Sequence, residues 1–212
     1  MNASRRRPRP VLLTGFGPFA DAASNPSIEA ARALDDAVIA GHQVVVRELP
    51  VEFGVAREAL RRALRELRPA LVLCTGLAAS RDAVSLERVA INLDDARIPD
   101  NAGRQPVDVP VVRGGPAAYF STLPLKAMLA ALRAAGIPAE VSQTAGTFVC
   151  NHVFYALMHR LRRNRGVRAG FVHLPPLSGE FTLPVLERAL RICIETALST
   201  ACDARIAAGA VD

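Results

Sequence analysis

Cys150 stands in the run Thr144-Ala145-Gly146-Thr147-Phe148-Val149-Cys150-Asn151, just after a Gly/Thr turn and where an apolar-periodic helical stretch begins. A helix start carries unpartnered backbone N–H groups and partial positive charge, which favour thiolate over thiol. The same N–H groups suit an oxyanion. A cysteine so placed is a candidate nucleophile, provided that a base reaches it. Four histidines are available: His42, His152, His159 and His173. His152 and His159 share the helix of Cys150, and at about 100° per residue they point roughly 160° and 180° away from it. His42 precedes a strand and so lies at the wrong end of a sheet. His173 follows the strand-like Ala169-Gly170-Phe171-Val172 and falls at the edge where the Cys150 helix begins. Elimination leaves His173 as the base.

An imidazole that takes a thiol proton needs an acceptor on its other nitrogen. Asp82, Glu87, Asp94, Asp95 and Asp100 all belong to the same edge, and pattern does not choose among them. Asp94 and Asp95 with Arg97 also read as a local ion-pair cluster. Structural readings stand beside the catalytic one. Cys150, Phe154, Leu157, Met158 and Leu161 share one helical face, so the cysteine also fits a core position. Cys74 sits in the apolar run Leu71-Val72-Leu73-Cys74 and reads as core, and Cys193 and Cys202 belong with the last helix. The four cysteines form no CxxC pair, which argues against a structural zinc site.

Positioning these groups falls to alternating strands and helices. Strands are expected at 11–14, 43–49, 70–75, 139–143 and 168–173. Helices are expected at 25–40, 55–67, 122–135, 149–162 and 183–200; Asn25 caps the first, with Pro26 at its first turn, and Gly136 ends the third. Residues 77–116 are less regular, with a short strand candidate at 88–93. This alternation predicts an α/β fold: a single-domain three-layer α/β/α sandwich over residues 1–212, with a mostly parallel twisted central sheet. In such sheets, sites gather beyond the C-terminal ends of the strands.

Bulk properties narrow the function further. Half of the 212 residues are apolar and 22% are charged, the balance of a soluble globular chain with a sizeable core. The sequence has no apolar run of the roughly 18 residues that cross a membrane, and Val11-Leu12-Leu13 is too short for a signal-peptide core. A cytoplasmic protein with reduced cysteines and a basic, disordered or extended arm at residues 1–9 is expected. The net charge of +6 comes almost wholly from arginine, since Lys126 is the only lysine. The arginines are scattered apart from Arg5–Arg7 and the group Arg160, Arg162, Arg163, Arg165 and Arg168, at a helix end where cations suit the dipole. With no tryptophan and two tyrosines, a base-stacking platform is poorly supplied, so no nucleic-acid partner is expected.

Gly15-Phe16-Gly17-Pro18-Phe19-Ala20 fits G-x-G-x-x-A after a strand, the outline of a dinucleotide loop. That fingerprint requires the helix to open inside the motif, whereas here it opens only at Pro26. Phe16 and Phe19 instead suggest an aromatic clamp for a small, flat, neutral ring, or plugs over the core.

Five blocks taken together carry a more specific signal. They are Thr14-Gly15-Phe16-Gly17-Pro18-Phe19 with Asn25-Pro26-Ser27; Glu87-Arg88-Val89-Ala90-Ile91-Asn92; Asp95-Ala96-Arg97-Ile98-Pro99-Asp100-Asn101-Ala102-Gly103; Ala145-Gly146-Thr147-Phe148-Val149-Cys150-Asn151; and Gly170-Phe171-Val172-His173-Leu174-Pro175. In order and spacing they resemble the type I pyroglutamyl peptidases, the pyrrolidone-carboxylate family of cysteine peptidases. The resemblance implies an exopeptidase that removes N-terminal pyroglutamate from peptides through a Cys150/His173/Glu87 triad and a thioester. It also implies a ring pocket of Phe16, Phe19, Ile98, Phe148 and Val149, with Arg97 beside the oxyanion site at Cys150. It implies no metal or organic cofactor, and a homo-oligomer, dimer or tetramer. One departure stands out: Leu77, Ala79 and Ser80 replace the Gln and Gly-Gly common in bacterial members. Two other readings remain at this level: a cysteine hydrolase of different acyl specificity, and a nucleotide-binding α/β protein.

Overall fold

Unbroken apolar runs, rather than alternating ones, mark strands covered on both faces. The computed structural model of the protein describes residues 8–20 and 22–209. Along the chain these form β1 (Val11–Phe16), α1 (Pro26–Arg32), β2 (Val38–Ile39), β3 (His42–Leu49), α2 (Val55–Leu67), β4 (Leu71–Leu77), β5 (Val84–Glu87) and β6 (Val89–Ile91). They continue as β7 (Ala118–Phe120), α3 (Leu125–Ala134), β8 (Ala139–Ser142), α4 (Val149–Leu161), β9 (Arg168–Leu174) and α5 (Leu183–Ser199). β1 is buried from end to end, and β4 and β9 nearly so.

Seven strands make one sheet in the order β2-β3-β1-β4-β9-β5-β8. Pairings β1/β3, β1/β4, β4/β9 and β5/β8 are parallel; β2/β3 and β5/β9 are antiparallel. Side chains alternate between two cores. From β1, Val11 and Leu13 join Ile28 of α1, Met128 of α3 and Leu190 of α5 on one face. Leu12 and Phe16 join Leu60 of α2 and Phe154 of α4 on the other. The expected three layers and mostly parallel sheet are therefore present.

The loop after β1 is held by bonds to its neighbours. Asn25 accepts from Ser27 N–H at the start of α1 and donates to the Gly17 carbonyl, while Ser27 Oγ accepts from Phe16 N–H. α1 lies so close to β1 that a Cβ on Gly15 would fall 2.5 Å from Ile28 Cα. That approach, rather than a pyrophosphate, accounts for the glycine.

Three expectations need correction. The first helix does not reach residue 40: it ends at Arg32, and β2 and β3 form a hairpin around Ala40 and Gly41, both at positive φ as a two-residue type I′ turn needs. The 77–116 stretch is more ordered than expected. The strand candidate at 88–93 divides at Arg88, with β5 before it in the main sheet and β6 after it paired to β7 in a separate two-stranded sheet. β8 also runs with β5, antiparallel to β9, so the chain must turn back through residues 143–148 to begin α4 at the upper edge. Cys202 lies past the end of α5 and is exposed. Residues 1–7 of the expected arm lie outside the described residues; Arg9 is pinned, donating to the carbonyls of Pro69 and Gly166.

A methyl group at Gly15 has only backbone to push against. Gly15→Ala is expected to lose about 1–3 kcal/mol of stability, as overpacked sites do. Urea titration measures this directly, and an unshifted midpoint would show that α1 yields freely.

Candidate active site

Each catalytic candidate is placed by the register of the sheet. On β9, Phe171 and His173 point to the α2/α4 face, while Val172 and Leu174 point to the other. Glu87, the last residue of β5, pairs with Phe171, which sets its side chain diagonally from His173 on that same face. The two meet: His173 Nδ1–H donates to Glu87 Oε1 at 2.7 Å, with the carboxylate 0% exposed. The carboxylate as acceptor fixes the proton on Nδ1 and leaves Nε2 as the basic nitrogen. The Phe171 ring lies 4.8 Å from the imidazole and limits its swing.

β9 lies between β5 and β4, so a group over β4 lies on the side of β9 away from Glu87. Gly76 of β4 is the register partner of His173. A Cβ on Gly76 would fall 2.8 Å from Cys150 Sγ and 3.0 Å from Phe171 Cζ, so the sulfur occupies the space that a larger residue would fill. Cys150 is the second residue of α4. No side chain caps that helix, and among the described residues no acceptor takes the N–H groups of Val149, Cys150 or Asn151. Asn151 anchors the helix start instead: it accepts from Ile91 N–H and donates to the Ile91 and Leu93 carbonyls.

The thiol itself departs from expectation. Burial pushes Cys150 up to about 12, reinforced by the Glu87 charge and by Cys74 and opposed by Arg81. Lost solvation thus disfavours ionisation of this half-buried thiol, and a base at its side offsets that cost.

The other histidines are occupied. His152 Nδ1–H donates to Asp94 Oδ2 at 2.8 Å while Nε2 accepts from Gly54 N–H at 3.3 Å, leaving no free nitrogen. His159 pairs with Tyr119 Oη, and its ionisation is lowered by burial and by Arg162. His42 donates to the Arg9 carbonyl. For His173, no hydrogen bond among the described residues engages Nε2. The carboxylates sort in the same way. Asp94 belongs to His152, and Asp100 accepts from the N–H groups of Phe53, Ala102 and Arg104, closing a turn. Asp82 and Asp95 are exposed. The expected Asp94/Asp95/Arg97 cluster does not form; Arg97 is exposed and has no ion pair among the described residues.

Aromatic rings line the approach. Phe148, the residue before α4, lies 5.4 Å from Phe19 and 5.3 Å from Phe53, and Phe53 packs edge-on to His152. Phe19, Phe148 and Ile98 are half-buried and Val149 is buried. Phe16 lies deeper: it is 2% exposed and pairs with Phe171 at 6.5 Å rather than with Phe19. Ala79 and Ser80 avoid positive φ, so filling the two glycine positions strains nothing.

Sequence reasoning missed Arg81, Phe53, Asn151 and Gly76. Phe53 follows β3 at the edge already known to carry sites, and that rule was sufficient to find it. Arg81 closes the block in which Leu77, Ala79 and Ser80 depart from the common pattern.

This arrangement, a thiol at a helix start beside an imidazole backed by a carboxylate, is that of a cysteine hydrolase on an α/β sheet. Comparison with known proteins is more specific. The family model described as pyroglutamyl peptidase matches residues 9–209. A pyrrolidone-carboxylate peptidase of Cupriavidus taiwanensis is 55% identical over 206 residues, covering 92% of this chain and 95% of the relative. One from Klebsiella pneumoniae is 51% identical, covering 94% and 98%. Among solved structures, pyroglutamyl peptidase I from Bacillus amyloliquefaciens superposes with a TM-score of 0.91 at 40% identity, covering 94% of this chain and 100% of that one. Pyrrolidone carboxyl peptidase from Thermococcus litoralis gives 0.90 at 33% identity, covering 94% and 99%. The chain belongs to the pyroglutamyl peptidase family.

Two measurements follow from this geometry. In His173→Ala, the rate of Cys150 alkylation by iodoacetamide should fall at neutral pH and keep rising with pH well beyond about 8.5, where a free thiol levels off. A plateau at the free-thiol value would show that burial does not govern the sulfur. Phe16→Ala should cost about 3–5 kcal/mol of stability as a core truncation, while Phe19→Ala should leave stability nearly unchanged and raise KM. Urea titration and steady-state kinetics separate the two; the same KM effect from both, with no stability difference, would place Phe16 in the pocket wall.

Proposed function

We propose that this protein is a cysteine exopeptidase that hydrolyses N-terminal pyroglutamyl groups from peptides, with Cys150 as nucleophile, His173 as base and Glu87 as the group that orients His173. The observation that carries the assignment is the Glu87–His173 bond with the Cys150 sulfur lying over Gly76, the β4 register partner of His173. His173 Nε2 takes the thiol proton as sulfur attacks the pyroglutamyl carbonyl. The uncapped N–H groups at the start of α4 receive the oxyanion. The imidazolium then protonates the departing amine, and water activated by His173 cleaves the thioester. Phe19, Phe148, Ile98 and Val149, over Phe16, supply an apolar wall for the neutral pyrrolidone ring, with Arg97 at the rim by family resemblance. Phe53 joins that wall through its contact with Phe148.

The same reading makes residues 1–212 one catalytic domain that works in the cytoplasm, where its four free cysteines stay reduced. Among the described residues no helix is long and apolar enough to cross a membrane. It also makes the enzyme a homo-oligomer of two or four copies; Val107, Val109 and Phe120 are apolar side chains left exposed for such contacts.

A pyroglutamyl amide of a fluorophore should be cleaved by the wild type and not by Cys150→Ser, with Cys74→Ser, Cys193→Ser and Cys202→Ser active where folded. Prolyl and glutaminyl amides should be poor substrates. The first lacks the ring carbonyl, and each brings an ammonium that the apolar wall leaves unpaired. Turnover in Cys150→Ser removes the nucleophile assignment; equal cleavage of all three amides removes the pyroglutamyl specificity.

A further inference from the structure

Glu87 is fully buried, and a buried carboxylate needs more than one neutral partner to stay ionised. Its second partner is Arg81. Arg81 Nη1 meets Glu87 Oε1 at 2.6 Å, the same oxygen that accepts from His173 Nδ1, while Oε2 has no partner among the described residues. The Arg81 side chain is half-buried, 24% exposed. Its other arm, Nη2, donates to the Thr144 carbonyl at 2.8 Å, in the segment that leads into α4 and Cys150. One planar group thus bonds the carboxylate and the loop that delivers the nucleophile. The turn that presents it is also fixed: Ala78 N–H donates to Leu174 O on β9, and Arg81 N–H donates to Ala78 O.

We infer that Arg81 is a positioning residue for hydrolysis: it holds Glu87 Oε1 against His173 Nδ1 and ties the 143–148 loop to the same point. It rests on the triad assignment proposed above. Arg81 acts through Glu87, so its loss should lower kcat and leave substrate binding alone. A hydrogen-bonded cation lacking the fork should restore only part of the effect.

The test is steady-state kinetics on the pyroglutamyl amide with Arg81→Met, Arg81→Lys, Glu87→Gln and the Arg81→Met/Glu87→Gln pair. Arg81→Met should lower kcat about ten- to a hundredfold, the range of a charge-assisted bond, with KM within about twofold of wild type. Arg81→Lys should recover part of kcat. Adding Arg81→Met to Glu87→Gln should cost little more, because the bond it breaks is already weakened. If Arg81→Met does not fold, Arg81→Gln carries the same comparison. An unchanged kcat, a loss confined to KM, or a full multiplicative loss on top of Glu87→Gln overturns the role. Cys150→Ser runs alongside: if it is dead while Arg81→Met is unimpaired, the positioning role alone falls. If Cys150→Ser is active, the triad falls and this role with it. Iodoacetamide alkylation of Cys150 at neutral pH gives a substrate-free readout, and it should slow in Arg81→Met.

Discussion

The oxygen Oε1 of Glu87 is the point on which this structure turns. It lies out of water, and a bare carboxylate there would be costly to ionise. Two donors converge on it, one from β9 and one from the turn after β4. Their convergence rests on β5 lying beside β9 in a register that sets its last residue opposite Phe171, diagonally across from His173. The β5/β9 register, where the sheet changes direction, is thus what brings the pair together.

Among the described residues are two buried imidazole–carboxylate pairs. His152 with Asp94 and His173 with Glu87 have nearly the same bond length and burial. They differ at the far nitrogen. In His152 a backbone N–H fills it; in His173 it remains available, with a sulfur over the neighbouring strand. Chemical competence resides in that difference, not in the pair itself. The thiol carries the complementary constraint: Gly76 leaves room for the half-buried sulfur over β4, where lost solvation disfavours its ionisation.

Much of this was legible in the chain. The edge rule for α/β sheets and helical periodicity suffice to set Cys150 and His173 at one sheet edge and to set His42, His152 and His159 aside. Glu87 was not legible from pattern: β5 has four residues, and its boundary with β6 at Arg88 leaves no alternation from which to read direction. Only the family blocks singled it out. The α1 boundary failed for a related reason, since β2 is two residues long and its turn uses Ala40, an unusual residue at positive φ. The depth of Phe16 follows from its place as the last residue of β1, which a motif cannot report. Arg81 was hidden because its partner lies on a strand that the sequence did not reveal.

β9 is the second-to-last element of the chain, yet it occupies the interior of the sheet between β4 and β5. Contacts across so many intervening residues raise contact order and slow folding, since loop closure precedes any gain from pairing. On the ribosome, residues through Cys150 emerge before the strand that unites both halves of the sheet. A nascent chain therefore presents Cys150 before His173, and the two come to one sheet edge only when β9 docks. On the proposed triad, synthesis order itself keeps the unfinished chain silent.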